Sequence, residues 1–219
     1  MSPTREHVSD AGSPGTDPKG PAIDGRQVYL AMTRPERAPA TRAELRLLGR
    51  AAPHDVVWRD HRLAAWTWRA EGPRLLLVHG WGSRASHLAR LIETLHEAGF
   101  EVVGYDAPAH GDSEGEASSV VEMGQAALAV AEDLGPIDAV VAHSVGSPAA
   151  LYAFSRGLEV DASVHFAGPT SLDRAMRRMA EMLGLPQAEM VTFHRLMEER
   201  IGMPVAALEL ERLRAGLRH

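Results

Sequence analysis

Between Arg74 and Ala167, short apolar runs alternate with helical patterns, and this alternation constrains the fold more than any other feature of the chain. Residues 74–79, RLLLVH, form an unbroken apolar run that ends at Gly80, the pattern of a strand covered on both faces. Residues 101–105 (EVVGY), 137–142 (IDAVVA) and 162–167 (ASVHFA) read as further strands. Helices are predicted between them. One spans 86–98, where Leu88, Leu91, Ile92 and Leu95 recur at spacings of three and four before Gly99. Others span 119–134, closed by Gly135-Pro136, and 146–155. Such alternation predicts an α/β fold with a doubly wound, mostly parallel sheet.

On either side of this block the pattern changes. Residues 1–25 are dominated by Gly, Pro, Ser, Asp and Thr, with hardly a large apolar side chain to repay ordering. They read as a disordered tail. Residues 26–55 read as an N-terminal helical segment. Its clearest part is 41–50, with Thr41 as N-cap, Glu44 three residues on and Gly49 as the stop. Residues 56–58 and 63–68 read as two strands around Asp60-His61 and open a core domain over 56–170. From 171 to 219 the pattern is that of a helical cap-like region. Leu172, Ala175, Met176, Met179, Met182 and Leu183 share one helical face, and Met190, Phe193, Met197 and Ile201 share a second. A third helical stretch opens at Pro204, with Leu208 and Leu213. The Met-rich stripes either pack inward or line an apolar ligand pocket.

Composition narrows the partners. With 23 Lys and Arg against 29 Asp and Glu, the net charge is −6, and no basic face is available to neutralise phosphates, so no nucleic-acid partner is expected. No run reaches the roughly 18 apolar residues of a membrane span, so no membrane partner is expected either. No apolar signal-peptide core lies in residues 1–25, which makes a cytoplasmic location the expectation. The absence of cysteine excludes a disulfide framework, a thiol nucleophile and a Cys-based zinc site. No metal or organic cofactor is expected, and nothing sets an oligomeric state.

The chemistry gathers at three strand ends. After 137–142, His143-Ser144-Val145-Gly146 runs straight into a helix. A serine hydroxyl is a weak nucleophile that needs an exposed position on a sharp turn, a base and amides ready for an oxyanion. A strand–turn–helix supplies the turn if the residues two before and two after the serine are small, and here they are Ala142 and Gly146. The new helix aims its free amides and positive dipole end at Ser144, and Pro148 falls in its first turn, where no N–H is lost. After 74–79, Gly80 and Gly82 let the backbone bend around Trp81, whose amide pairs with that of Val145 as candidate oxyanion donors. After 101–105 comes the loop Asp106-Ala107-Pro108-Ala109-His110-Gly111-Asp112-Ser113, in which Asp106 and His110 read as loop-holding residues.

Together, His79-Gly80-Trp81-Gly82, the loop from Asp106 to Ser113, and Ala142-His143-Ser144-Val145-Gly146 resemble the α/β-hydrolases of the single-domain serine hydrolase type, in the family's order and at its spacing. The resemblance covers roughly residues 56–170. It implies a hydrolase of small ester-like acyl substrates, with Ser144 as nucleophile, the Trp81 and Val145 amides as oxyanion donors, and His79, Gly80, Gly82, His143 and Gly146 in support. The pattern departs from the family in carrying Ala rather than Gly at 142. The family's acid follows a seventh strand and its histidine an eighth, and neither strand is legible here. The expectation is therefore an α/β-hydrolase sheet with its last two strands absent, a chain ending just after the cap, and a triad acid and base that stay unidentified. His79, His165, His194 and His219 each sit poorly for the base, and the side chain of His143 is expected to project away from that of Ser144. Asp173 reads as part of a helix start more than as the acid. The sixth strand would form an open edge, which predicts poor solubility or a need for a partner. The alternatives to an enzyme are a non-catalytic binding module on the same fold or an inactive fragment. A nucleotide-binding domain lacks its Gly-rich phosphate loop.

Overall fold

The structure, a computed structural model, describes residues 23–214. The tail expected over 1–25 lies outside the described residues except for its last three positions. Those positions lead into a helix, α1 (Gly25–Thr33), which Asp24 caps: its carboxylate accepts from the Gln27 N–H, and the Gln27 side-chain oxygen accepts from the Asp24 N–H. Helix α2 (Arg42–Leu48) is capped by the expected Thr41–Glu44 box and stops at Gly49. The segment expected to be helical to residue 55 ends sooner, because strand β1 (Ala52–Trp58) begins there. Its first half alternates polar and half-buried residues around Pro53, and an edge strand tolerates proline.

Strand β2 (His61–Trp68) returns antiparallel to β1 and also pairs antiparallel with β4 (Glu101–Tyr105). The next strands are β3 (Arg74–Val78), β5 (Ala139–His143) and β6 (Ala162–Phe166). The sheet order is β1-β2-β4-β3-β5-β6, and the four strands from β4 to β6 are parallel. A 3₁₀ turn (Ala85–Leu88) leads into α3 (Ala89–Glu97), where the periodicity alone predicts one helix. Helix α4 (Val120–Leu134) starts at its Ser119 cap, and α5 (Gly146–Ser155) keeps the expected bounds. The last elements are α6 (Leu172–Met182), α7 (Met190–Ile201), a 3₁₀ turn (Val205–Leu208) and α8 (Leu210–Arg214).

Two apolar layers follow from the strand period of two. Leu76, Val78, Val103, Tyr105, Val140 and Ala142 face one cluster, with residues of α4, α5 and α7. Leu77, Val102, Trp66 and Trp68 face the other, with Leu47 and Leu48 of α2 and Ile92 of α3. The sheet is therefore covered on both faces. Helices α4 and α5 touch backbone to backbone: a Cβ added at Gly124 would lie 2.5 Å from the Ala149 carbonyl oxygen and 2.8 Å from the Tyr152 ring. In the cap, Met190, Phe193, Met197 and Ile201 are all buried as a stripe. The α6 stripe divides, with Leu172 and Met176 buried but Met179, Met182 and Leu183 exposed. Among the described residues β6 is the last strand of the sheet, and its Val164 and Phe166 are 57% and 39% exposed. No helix among them is long and apolar enough to cross a membrane.

Candidate active site

Ser144 sits between the last residue of β5 and the first turn of α5, with φ at 53°. A non-glycine residue adopts this left-handed conformation only where its surroundings hold it there. The Ser144 N–H donates to the Phe166 carbonyl at the end of β6 (3.0 Å), and the Ser144 carbonyl accepts from the Ser147 N–H (2.9 Å). Around this turn there is no spare volume. A Cβ at Gly146 would lie 2.5 Å from the Val78 oxygen and 2.6 Å from the His79 oxygen, so α5 starts in contact with the end of β3. Ala142 is fully buried, and its carbonyl accepts from the Ser147 hydroxyl. No side chain caps α5, so the Val145 and Gly146 amides are left open beside Ser144.

The segment after β3 crosses directly over the serine. A Cβ at Gly80 would stand 3.0 Å from Ser144 Cβ, 3.5 Å from Ser144 Oγ and 3.3 Å from His143 Nδ1. The structure thus brings Gly80, His143, Ser144 and Gly146 together, with half-buried Trp81 next in line. Gly82 turns the chain away at φ 62°. The His143 ring stacks on Phe166 (centroids 4.8 Å apart), and its buried Nδ1 has no hydrogen-bond partner among the described residues. His143 Nδ1 and Ser144 Oγ both lie near the Gly80 backbone, 3.3 Å and 3.5 Å from where a Gly80 Cβ would stand, and no hydrogen bond joins the two side chains among the described residues.

Below this segment, His79 ties two loops together. Its Nε2 accepts from the Ala107 N–H (2.9 Å), so Nδ1 carries the proton and donates to the Gly80 carbonyl (2.7 Å). Complete burial, with His110 beside it, pushes its pKa down to about 3. His110 Nδ1 donates to the Pro108 carbonyl (2.9 Å), and burial pushes its pKa down to about 4. Trp81 packs its indole edge-on to the His110 ring, with centroids 5.0 Å apart. Asp106 holds the rest of the loop by accepting from the N–H groups of Ala85 (2.7 Å) and Asp112 (2.8 Å). Burial pushes its pKa up to about 6, against those donors and the Arg84 guanidinium 3.6 Å away.

Sequence reasoning missed three contributors. Arg84 is buried and pairs with Asp106 and, at 2.6 Å, with Asp112. Phe166 supplies the acceptor for the Ser144 N–H. Gly168 passes so close to Ser147 that an added Cβ would lie 2.7 Å from its side chain. Only the small-residue run Ala167-Gly168 after β6 signalled the last of these. Of the candidates for acid and base, Asp173 and His194 pair with each other across α6 and α7 (3.4 Å), and Asp173 also accepts from Arg177. His165 lies on β6 with its ring near Phe154, and His219 lies outside the described residues.

A family model described as the alpha/beta hydrolase family matches residues 75–217. Among solved structures, the esterase Pf2001 of Pyrococcus furiosus is similar in two crystal forms, each at 20% identity and a TM-score of 0.58. The match covers 76% of this chain and 68% of the esterase in one form, and 84% and 81% in the other. An N-acyl homoserine lactonase, AidH, solved with N-hexanoyl homoserine, matches at 23% identity over 57% of this chain and 47% of its own, with a TM-score of 0.50. These likenesses establish a common fold. No curated protein matches the sequence.

Proposed function

The chain belongs to the alpha/beta hydrolase family, and from that membership we propose that it hydrolyses small ester-like substrates through an acyl-Ser144 intermediate. The observation that carries this reading is the backbone of Ser144: φ 53°, held by Phe166 and Ser147, with side-chain-free clearance at Gly80 and Gly146. A serine kept in that conformation, at an uncapped helix start, is placed for attack on a carbonyl carbon.

In this reading Ser144 Oγ adds to the carbonyl and its proton passes to a base. The carbonyl oxygen gains negative charge and is met by the Trp81 and Val145 N–H groups. Collapse expels the alcohol, which takes up a proton, and water then cleaves the acyl-serine to the carboxylic acid and free Ser144. The braced loops serve the oxyanion of this scheme. His79 fixes the Gly80 carbonyl, and His110 backs the Trp81 indole, so the Trp81 amide need not reorganise as charge develops. No metal or organic cofactor enters the scheme. The esterase and the lactonase that share the fold act on acyl–oxygen bonds by their names, which agrees with this substrate class.

A second reading, a binding module on the hydrolase fold, is favoured by one observation: among the described residues no imidazole is hydrogen-bonded to Ser144. The test is labelling with a fluorophosphonate probe beside Ser144→Ala. Labelling of the native chain that vanishes in the variant supports the acyl-serine reading. A folded native chain that stays unlabelled refutes it and leaves the binding module, since a serine without its triad base loses about 10⁶-fold in rate.

A further inference from the structure

Helix α6 carries its side chains in three neighbouring rows of i, i+4 spacing. The row Leu172, Met176, Ala180 is buried. The next row, Ala175, Met179, Leu183, is just as apolar but exposed, Met179 at 45% and Leu183 at 40%. The third row is Arg174, Arg178 and Met182, all exposed, the last at 65%. Of the eight large hydrophobic residues exposed in the described chain, three therefore fall on this one short helix and its C-cap. They are flanked by two arginines that make no ion pair among the described residues, whereas Arg177, on the far side of the helix, is held by Asp173. In a chain with a net charge of −6, α6 carries three arginines against Asp173 and Glu181, a net charge of +1 beside the apolar ridge.

We propose that the exposed rows of α6 rest on an anionic lipid surface, and that the esters reaching Ser144 are lipid-dispersed ones. An apolar ridge that enters the headgroup region while a parallel cationic row meets lipid phosphates is how an amphipathic helix lies on a membrane without spanning it. A purely apolar partner would explain the methionines and leave Arg174 and Arg178 idle, whereas an acidic soluble partner would explain the arginines and leave the ridge wet. The placement suits delivery. α6 starts four residues after Gly168, which abuts the Ser144 turn, so the helix begins at the same sheet end as the serine. As to substrate, the inference rests on the acyl-Ser144 reading. As to the surface, it stands on α6 alone.

The experiment is pelleting of the whole chain with vesicles of phosphatidylcholine, alone or mixed with phosphatidylglycerol. Expected is binding to the mixed vesicles that weakens in high salt. Arg174→Glu with Arg178→Glu should lower it by about 25-fold or more, given about fivefold per cation, and Met179→Ser with Met182→Ser should also lower it several-fold. All four positions are exposed, so the variants keep the fold. The proposal is overturned if the native chain pellets with neither vesicle or if the arginine variant binds as the native chain does. A native particle of twice the chain mass that Met179→Ser with Met182→Ser dissociates would also overturn it, since a second copy would then cover the ridge. Ser144→Ala should pellet like the native chain. Lost labelling with retained pelleting would sink the serine reading alone, and the converse would sink the lipid surface alone.

Discussion

Replacing Gly146 with alanine tests the physical basis of the serine turn. At an unconstrained helix position this change stabilises by about 1 kcal/mol. Here the new methyl group would lie 2.5 Å from the Val78 oxygen, 2.6 Å from the His79 oxygen and 3.0 Å from the Val78 carbonyl carbon, where ordinary contact begins at 3.4 Å. Either the end of β3 or the start of α5 must retreat by most of an ångström. β3 is hydrogen-bonded on both sides, by β4 and β5, and α5 is pressed backbone to backbone on α4. Overpacking against such rigid neighbours costs about 1–3 kcal/mol and more where backbone is struck, so the propensity gain is cancelled and a net loss of about 2 kcal/mol is expected. Ser144 precedes the site by two residues and moves with α5. A displacement near 1 Å slows a positioned reaction by about 10²-fold. Urea titration followed by tryptophan fluorescence should show the lower midpoint, and fluorophosphonate labelling should slow by about that factor. A variant as stable as the native chain, with labelling unchanged, would refute the argument that clearance at β3 is what demands glycine.

Two further outcomes follow from the braced loops. Asp106→Asn turns one of two accepting oxygens into a donor that faces the N–H of Ala85 or Asp112, and it removes the charge opposite buried Arg84. A loss of about 3–5 kcal/mol is expected in urea, and a loss below about 1 kcal/mol would show that the loop does not depend on this carboxylate. Acid should also loosen the loops. His79 and His110 stay neutral in the fold down to about 3 and about 4, while the unfolded chain protonates them below 6.5. The unfolded state therefore binds more protons as pH falls through that window, and each histidine withdraws about 1.4 kcal/mol per pH unit. Asp106 acts the other way: with its pKa raised from 3.8 to about 6, it adds stability as pH falls through 6, but it is one group against two. The urea midpoint should drop between pH 6.5 and 4.5, and a midpoint that rises would contradict the assignment of both histidines as neutral.

The parts of the fold legible in the sequence are those in which local pattern and tertiary surroundings agree. EVVGY is a strand with its expected ends because it is buried on both faces, and 146–155 is a helix with its expected ends because the serine turn and Arg156 bound it. The Thr41–Glu44 box stands because a cap is satisfied within four residues. Helix α1 falls within the expected helical segment, but its start is not legible, because its cap, Asp24, lies at the end of a stretch rich in Gly and Pro and the helix packs on the distant α7. The first half of β1 is not legible as strand, because on this edge strand Pro53 and Asp55 are exposed and only Val56 and Trp58 are buried. Around Ser144 the small residues were legible, since sterics act between near neighbours. The Phe166 acceptor and the buried Arg84 were not, because both depend on which strands and loops become neighbours. The stripe on α6 was legible as periodicity, but periodicity does not say how wide a strip the neighbouring helices cover.

The backbone contact between α4 and α5 at Gly124 has a dynamic consequence. Helices separated by side chains can slide by exchanging rotamers, whereas two backbones in van der Waals contact have no rotamer to exchange. The helix that carries the serine turn therefore has no private low-energy motion, and any excursion must carry α4 with it. Amide exchange in α5 is then expected to follow opening of the whole sheet–helix body, and the Ser144 turn to hold the one conformation that its neighbours impose.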